Sequence, residues 1–184
     1  KVPAVWFSSA DESAAKEYID YCAKWAKLFD VAAKSLGLVV LDSEKDIKAF
    51  VIEFANGRKI HALSSNPKAF RSKGGKVVLD EFAWHEDPDR LWAAARPCIT
   101  WGFPLRILST HNGTNCLFYK FINAVKKGRR SWGLQTTTIY DAVNDGLVDK
   151  ILGRKATEEE KTQWLKDQRE SCFDENTWLQ EYCC

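Results

Sequence analysis

KVVLDEF, from Lys76 to Phe82, is the stretch on which the fold of this 184-residue chain turns. Val77, Val78 and Leu79 run straight into two adjacent carboxylates, Asp80 and Glu81. Two β-branched residues following Gly74-Gly75 read as a short buried strand. In an open α/β sheet, ligands gather at the carboxyl ends of strands, where Asp80 and Glu81 emerge. An aspartate there can hold Mg²⁺, directly or through water, and a neighbouring glutamate can polarise an attacking water. Taken alone, the same pattern also fits a core strand ending in two solvated acids.

Working outward, Pro104-Leu105-Arg106-Ile107-Leu108 is a second apolar strand that ends in Ser109-Thr110-His111-Asn112-Gly113. The interval between the two strands holds the helix that a parallel crossover needs. A strand ending in DE, a crossover and a strand ending in ST is the arrangement of P-loop motors and helicases. The pair is far more specific than either half.

The chain is long enough for one domain with a substantial core. Its 45% hydrophobic and 28% charged residues describe an ordinary globular protein, and a net charge of +2 does not by itself argue for nucleic acid. Six cysteines are scattered without any CxxC spacing, apart from the vicinal Cys183-Cys184 pair, and read as reduced, mostly buried thiols. Nothing resembles a signal peptide or a membrane span, which points to a cytoplasmic protein. Eight tryptophans are many for this length and the lack of methionine is unusual; a KVPAV start with no initiator methionine suggests an excised fragment.

Along the chain, Ala4 to Phe7 reads as a strand and Ser8-Ser9 as a turn and helix cap. A long amphipathic helix follows, with Tyr18, Tyr21, Cys22, Trp25, Leu28 and Phe29 expected in the core and Gly37 as its stop after Leu36. Leu38 to Leu41, Asp46 to Phe54 and Arg58 to Leu63 are strands. Asn56-Gly57 between the last two predicts a type I′ hairpin at one edge of the sheet. Lys68 to Phe70 forms a helical turn, and Arg71 to Lys76 a basic loop. Asp89 to Arg96 and Asn115 to Lys127 are helices, Trp132 to Ile139 a Thr-rich strand, and Thr157 opens a capped helix through about Arg169. Asp174 to Tyr182 is a last short helix. One domain is expected, with an α/β core over about residues 1–140 and an appended helical segment over about 141–184.

The ordered set SSNPKAFR (Ser64 to Arg71), VVLDEFA (Val77 to Ala83), LRILSTHNG (Leu105 to Gly113), IYDAVNDGLV (Ile139 to Val148) and WLQEYCC (Trp178 to Cys184) resembles the ATPase domain of phage terminase large subunits. The resemblance is to the Mu-like branch, and these stretches span about two-thirds of the chain. It implies an ASCE-type P-loop fold, with a mostly parallel central sheet flanked by helices. By position, Asp80 would be the Walker B aspartate that holds Mg²⁺ and Glu81 the catalytic glutamate. Ser109 and Thr110 would fall in the coupling motif. Arg71 would be the arginine just before Walker B, facing nucleotide, DNA or a neighbouring subunit, and His111 would lie near nucleotide. The implied partners are double-stranded DNA, the portal, the small terminase subunit and further copies in a ring, in the cytoplasm of the bacterial host.

The sequence departs from the family in one respect: no G-x-x-x-x-G-K-[ST] occurs. Gly74-Gly75-Lys76 precedes the DE strand and cannot be the phosphate loop. The chain is therefore expected to begin after that loop and to stop near a nuclease domain. Mg²⁺ and ATP would belong to the intact protein, with neither held tightly by this piece.

Lys120, Lys126, Lys127, Arg129, Arg130 and Trp132 form a basic run beside an aromatic, which suits DNA phosphates as well as a solvated helix end. His85-Glu86-Asp87 reads as a solvated loop rather than a metal site. Two alternatives stay open: a superfamily 2 helicase-like core, and a non-catalytic interaction module.

Overall fold

The computed structural model describes residues 4–29, 33–42 and 47–183. Residues 30–32, Asp46 and Cys184, on which some of the expectations above fall, lie outside these. The chain divides into two compact units, Lys1–Ser109 and Thr110–Cys184.

The first unit is a six-stranded sheet: β1 (Ala4–Ser8), β2 (Ala33–Asp42), β3 (Ile47–Phe54), β4 (Lys59–Leu63), β5 (Gly75–Leu79) and β6 (Leu105–Ile107). The order is β2-β3-β4-β1-β5-β6. β4, β1, β5 and β6 are parallel, whereas β3 pairs antiparallel with β4 and β2 antiparallel with β3 at the edge. The KVVL strand therefore lies inside the parallel part, as expected.

Helix α1 (Glu12–Leu28) covers one face of the sheet. Asp11 caps it by accepting the Ala14 N–H, so the cap is Asp11 rather than Ser8 or Ser9. Ala15, Ile19 and Ala26 are buried, and Ala15 and Ile19 pack with Tyr18, Cys22 and Ala23 on Phe7, Ile52 and Ala62. Tyr18 stacks on Phe7 at 3.8 Å.

Of the expected stripe Tyr18 and Cys22 meet the core, but Tyr21, Trp25, Leu28 and Phe29 do not: Trp25 is 52% exposed and Phe29 70%. At about 100° per residue, Tyr21, Trp25 and Leu28 fall roughly opposite Ile19. Both stripes have helical spacing, and the one that carries Ala15, Tyr18 and Ile19 meets the sheet.

The helix also ends at Leu28 instead of running to Leu36, since residues from Ala33 pair antiparallel with β3. Gly37, at φ +66°, sits at a register shift in that pairing. It is a bulge glycine and not a helix stop. The β3–β4 connection is likewise not type I′. Only Gly57 (φ +75°) is left-handed, and its N–H donates to Phe54 O at 2.8 Å, the mark of a type I turn closed by a G1 bulge.

On the other face of the sheet, Trp6 stacks on His61 at 4.0 Å and lies under the Lys73 ammonium at 5.5 Å. Its Nε1 donates to Gly74 O at 3.3 Å. Gly75 opens β5 so close to β1 that a Cβ would sit 2.2 Å from Ala4 O. Gly75 thus serves strand packing. A 3₁₀ turn, Pro67–Phe70, and helix α2 (Pro88–Ala95) precede β6, and the Cys98 thiol donates to Phe70 O at 3.2 Å.

The second unit contains helices α3 (Leu117–Lys126), α4 (Ile139–Asn144), α5 (Leu147–Leu152), α6 (Glu158–Ser171) and α7 (Glu175–Trp178). α6 opens with the expected capping box, Thr157 with Glu160. Residues 132–138 form no strand. Thr138 instead caps α4 in a reciprocal box with Asp141, because β propensity needs a sheet partner to be realised. Trp178 is buried, edge-on to Tyr140 and stacked on Tyr182. Of the five described cysteines, all with free thiols, only Cys98 is fully buried.

Candidate active site

Three parallel strands bring the candidate residues of the first unit to one edge. β1 ends at Ser8, β5 at Leu79 and β6 at Ile107, and the register pairs Ser8 with Leu79 and Leu79 with Ile107. Beyond these ends the backbones stay bonded to one another. Asp80 N–H donates to Ser8 O (2.8 Å), Leu108 N–H to Leu79 O (2.9 Å) and Phe82 N–H to Leu108 O (3.1 Å).

Side chains extend the pattern. Buried Ser9 donates its hydroxyl to Asp80 Oδ2 at 3.1 Å, so one carboxylate oxygen is oriented from β1. Ser109 Oγ accepts the Ala83 N–H at 3.0 Å. Ser8 Oγ donates to Ser64 O at 3.3 Å and joins β4 to the same edge.

Glu81 lies at φ 49°, ψ 42°, the left-handed region, which costs a non-glycine residue about 1–2 kcal/mol. Such strain persists only where the surroundings over-determine it. Here the neighbouring amides of Phe82, Ala83 and Trp84 are all committed, the last to Glu81 O at 2.9 Å. Glu81 Oε2 is buried.

His85 is buried as well, contrary to the solvated loop expected for HED. Its Nε2 is 2.9 Å from Asp80 O and its Nδ1 2.6 Å from Ser65 Oγ. A carbonyl can only accept, so Nε2 carries the hydrogen and Nδ1 accepts from the Ser65 hydroxyl. Burial holds the imidazole below its ordinary range, against the opposing pull of the Asp80 backbone and charge.

Asp80, Glu81 and Ser109 therefore converge. Arg71 is exposed one residue beyond the Pro67–Phe70 turn, on the loop before β5, and takes no part in these hydrogen bonds. Thr110 and His111 open the second unit. In that unit Lys126, Lys127, Arg129 and Arg130 are exposed at and beyond the end of α3. Arg130 lies over the Trp132 ring at 5.1 Å, and Trp132 sits edge-on to Phe121 at 5.3 Å.

Sequence reasoning missed Ser9, Ser65 and His85. A serine directly after a strand was the available sign for Ser9. For His85, whose partner Ser65 lies 20 residues away in the chain, local sequence offered none.

Solved structures with this architecture are large terminases. The large terminase from a thermophilic bacteriophage in complex with ADP aligns at TM-score 0.64, with 12% identity, over 100% of this chain and 40% of that one. The Thermus phage P74-26 large terminase ATPase domain aligns at 0.56, with 18% identity, over 98% and 75%. The fold is that of the P-loop ATPase domain of these proteins.

Residues 3–165 match the family described as terminase large subunit, T4likevirus-type, N-terminal. The chain belongs to this terminase large subunit family. It is 38% identical to the Mu-like prophage FluMu protein gp28 of Haemophilus influenzae, over 98% of this chain and 36% of that protein. It is 40% identical to the probable terminase, large subunit gp28 of Escherichia phage Mu, over 80% and 28%. The chain thus spans about a third of the length of these relatives.

Proposed function

We propose that this chain is the Walker B and coupling part of a terminase ATPase that drives DNA translocation during phage packaging. The observation that carries the reading is the convergence of Asp80, Glu81 and Ser109 at one carboxyl edge, with Glu81 held in a strained conformation. The ADP complex described for the large terminase of the thermophilic bacteriophage supports it.

In this reading Asp80 holds Mg²⁺. The residues fit such an ion. Mg²⁺ is typically bound through one or two carboxylates with phosphates and water, so the lack of a three-ligand cluster among the described residues is no obstacle. When bound, the ion would neutralise charge on the nucleotide phosphates. Ser9 fixes the Asp80 carboxylate, and Glu81 orients the attacking water and accepts its proton. The Ser109 hydroxyl, bonded to the turn beyond Glu81, gives β6 a direct link to that turn. Ser109 and Thr110 form the coupling segment, with His111 beside it.

Arg71 meets nucleotide, DNA or a neighbouring subunit. Lys126, Lys127, Arg129 and Arg130 contact DNA phosphates, with the Arg130–Trp132 pair as a stacking platform. Partners are double-stranded DNA, the portal, the small subunit and further copies in a ring, in the host cytoplasm. No helix among the described residues is long and apolar enough to cross a membrane.

The test is DNA-stimulated ATP hydrolysis by a polypeptide extended to the length of the relatives, run beside this chain and an extended Glu81→Gln variant. Turnover confined to the extended wild type supports the reading. If Glu81→Gln hydrolyses ATP as fast as wild type, Glu81 is not the catalytic glutamate and this reading of the site is wrong; if the extended wild type is inert, an interaction module takes its place.

A further inference from the structure

We propose that His85 is a positioning residue: it holds the Asp80–Glu81 peptide in its strained orientation and ties it to the segment leading to Arg71. The inference rests on the ATPase reading for its functional meaning, but the geometry behind it is independent.

The oxygen that His85 Nε2 grips, 2.9 Å away, belongs to the peptide unit between Asp80 and Glu81. Rotating that unit changes ψ of Asp80 and φ of Glu81 together, so fixing the oxygen fixes the left-handed φ of 49°. The imidazole is a rigid plate. Its other nitrogen is fixed at 2.6 Å by Ser65, the residue just before the Asn66 cap of the Pro67–Phe70 turn, and Arg71 follows that turn directly.

In the sheet, β1 lies between β4 and β5. His85 therefore bridges from the segment after β4 to the end of β5, past the end of the strand that intervenes. A displacement of the Ser65–Arg71 segment is thereby passed to the backbone that aims Glu81. The neighbouring hydrogen bonds act elsewhere: Ser9 holds the Asp80 carboxylate, and Ser109 and Leu108 hold the far side of the turn.

Three variants test this. His85→Leu removes both bonds, His85→Gln keeps an N–H donor for Asp80 O, and Ser65→Ala removes only the link to the loop. In this chain, long-range ¹⁵N–¹H spectra should show the Nε2–H tautomer in wild type. Hydrogen exchange at the Phe82 and Ala83 amides should quicken about tenfold in His85→Leu and stay near wild type in His85→Gln. In the extended polypeptide, His85→Leu should lower kcat for ATP about tenfold with KM within about twofold, and His85→Gln should restore most of it. Ser65→Ala should lower kcat while leaving exchange at Phe82 unchanged.

An Nδ1–H tautomer, or unchanged exchange in His85→Leu, overturns the inference. So does a His85→Leu enzyme with wild-type kcat where Glu81→Gln is dead, which leaves the ATPase reading standing. If Glu81→Gln is as active as wild type, the catalytic role of Glu81 falls, and the tautomer and exchange data still decide what His85 holds.

Discussion

The hydroxyl of Ser109, beyond β6, accepts the N–H of Ala83, beyond β5, at 3.0 Å. The bond closes the turn that follows the two carboxylates, and Ala83 is itself buried. Ser109→Ala removes this hydrogen bond. We expect a loss of about 1–2 kcal/mol in urea unfolding and faster exchange at Ala83. Unchanged stability and exchange would mean that the turn holds itself.

Gly75 should tolerate no side chain. Its φ is +147°, and an added Cβ would meet the Ala4 carbonyl oxygen at 2.2 Å, with backbone on both sides of the clash. Gly75→Ala is expected to cost about 2–3 kcal/mol, through strain and loss of the β1–β5 pairing. Gly74→Ala, with nothing within 4 Å of the added atom, should stay within about 0.5 kcal/mol. Chemical denaturation of the pair separates a packing role from a general need for flexibility in the loop.

Stability should fall on acidification through the titration of His61. Burial lowers its pKa from 6.5 to about 4; a hydrogen bond with the Val5 backbone opposes this, and Lys59 and Lys73 assist it. Because the folded pKa lies below the unfolded one, the unfolded chain binds more protons between those two values. Stability is therefore complete above about pH 7 and is lost as pH falls from about 6.5 towards 4, by at most about 3 kcal/mol. His61→Phe keeps an aromatic ring on Trp6 and should flatten the profile in that window. A His61→Phe variant with an unaltered pH slope would exclude His61 as the source.

The two stripes of α1 should respond in opposite ways to truncation. Ile19→Ala empties a site packed against Phe7, Ile52 and Ala62 and is expected to cost about 2–4 kcal/mol. Trp25→Ser and Phe29→Ser, on the exposed stripe, should each cost less than about 1 kcal/mol. Thermal unfolding of the three variants measures which face the sheet holds.

Much of the parallel core was legible in advance. A β-branched run bounded by Gly74-Gly75 and ending in Asp80-Glu81 specifies a buried strand from local chemistry alone, and Leu105 to Ile107 repeats the pattern. The Thr157 cap with Glu160 was equally readable, because both residues are local. Reading failed where two local signals competed. Residues 33–36 continue a helical pattern, yet β3 recruited them as a strand. Residues 132–138 have strand composition, yet they form a connection whose last member, Thr138, caps α4.

The sequence by itself determined the parallel strands, the two carboxylates at the end of one and the serine at the end of another, because those depend on residues adjacent in the chain. Only the tertiary structure decided which face of α1 meets the sheet, since two stripes share one period and the choice rests on close packing. It also decided the surroundings of Asp80 and Glu81. Ser9, Ser65, His85 and Ser109 come from four separate segments of the chain, and only the parallel register that aligns the strand ends brings their hydrogen-bonding groups within 3.1 Å of their partners.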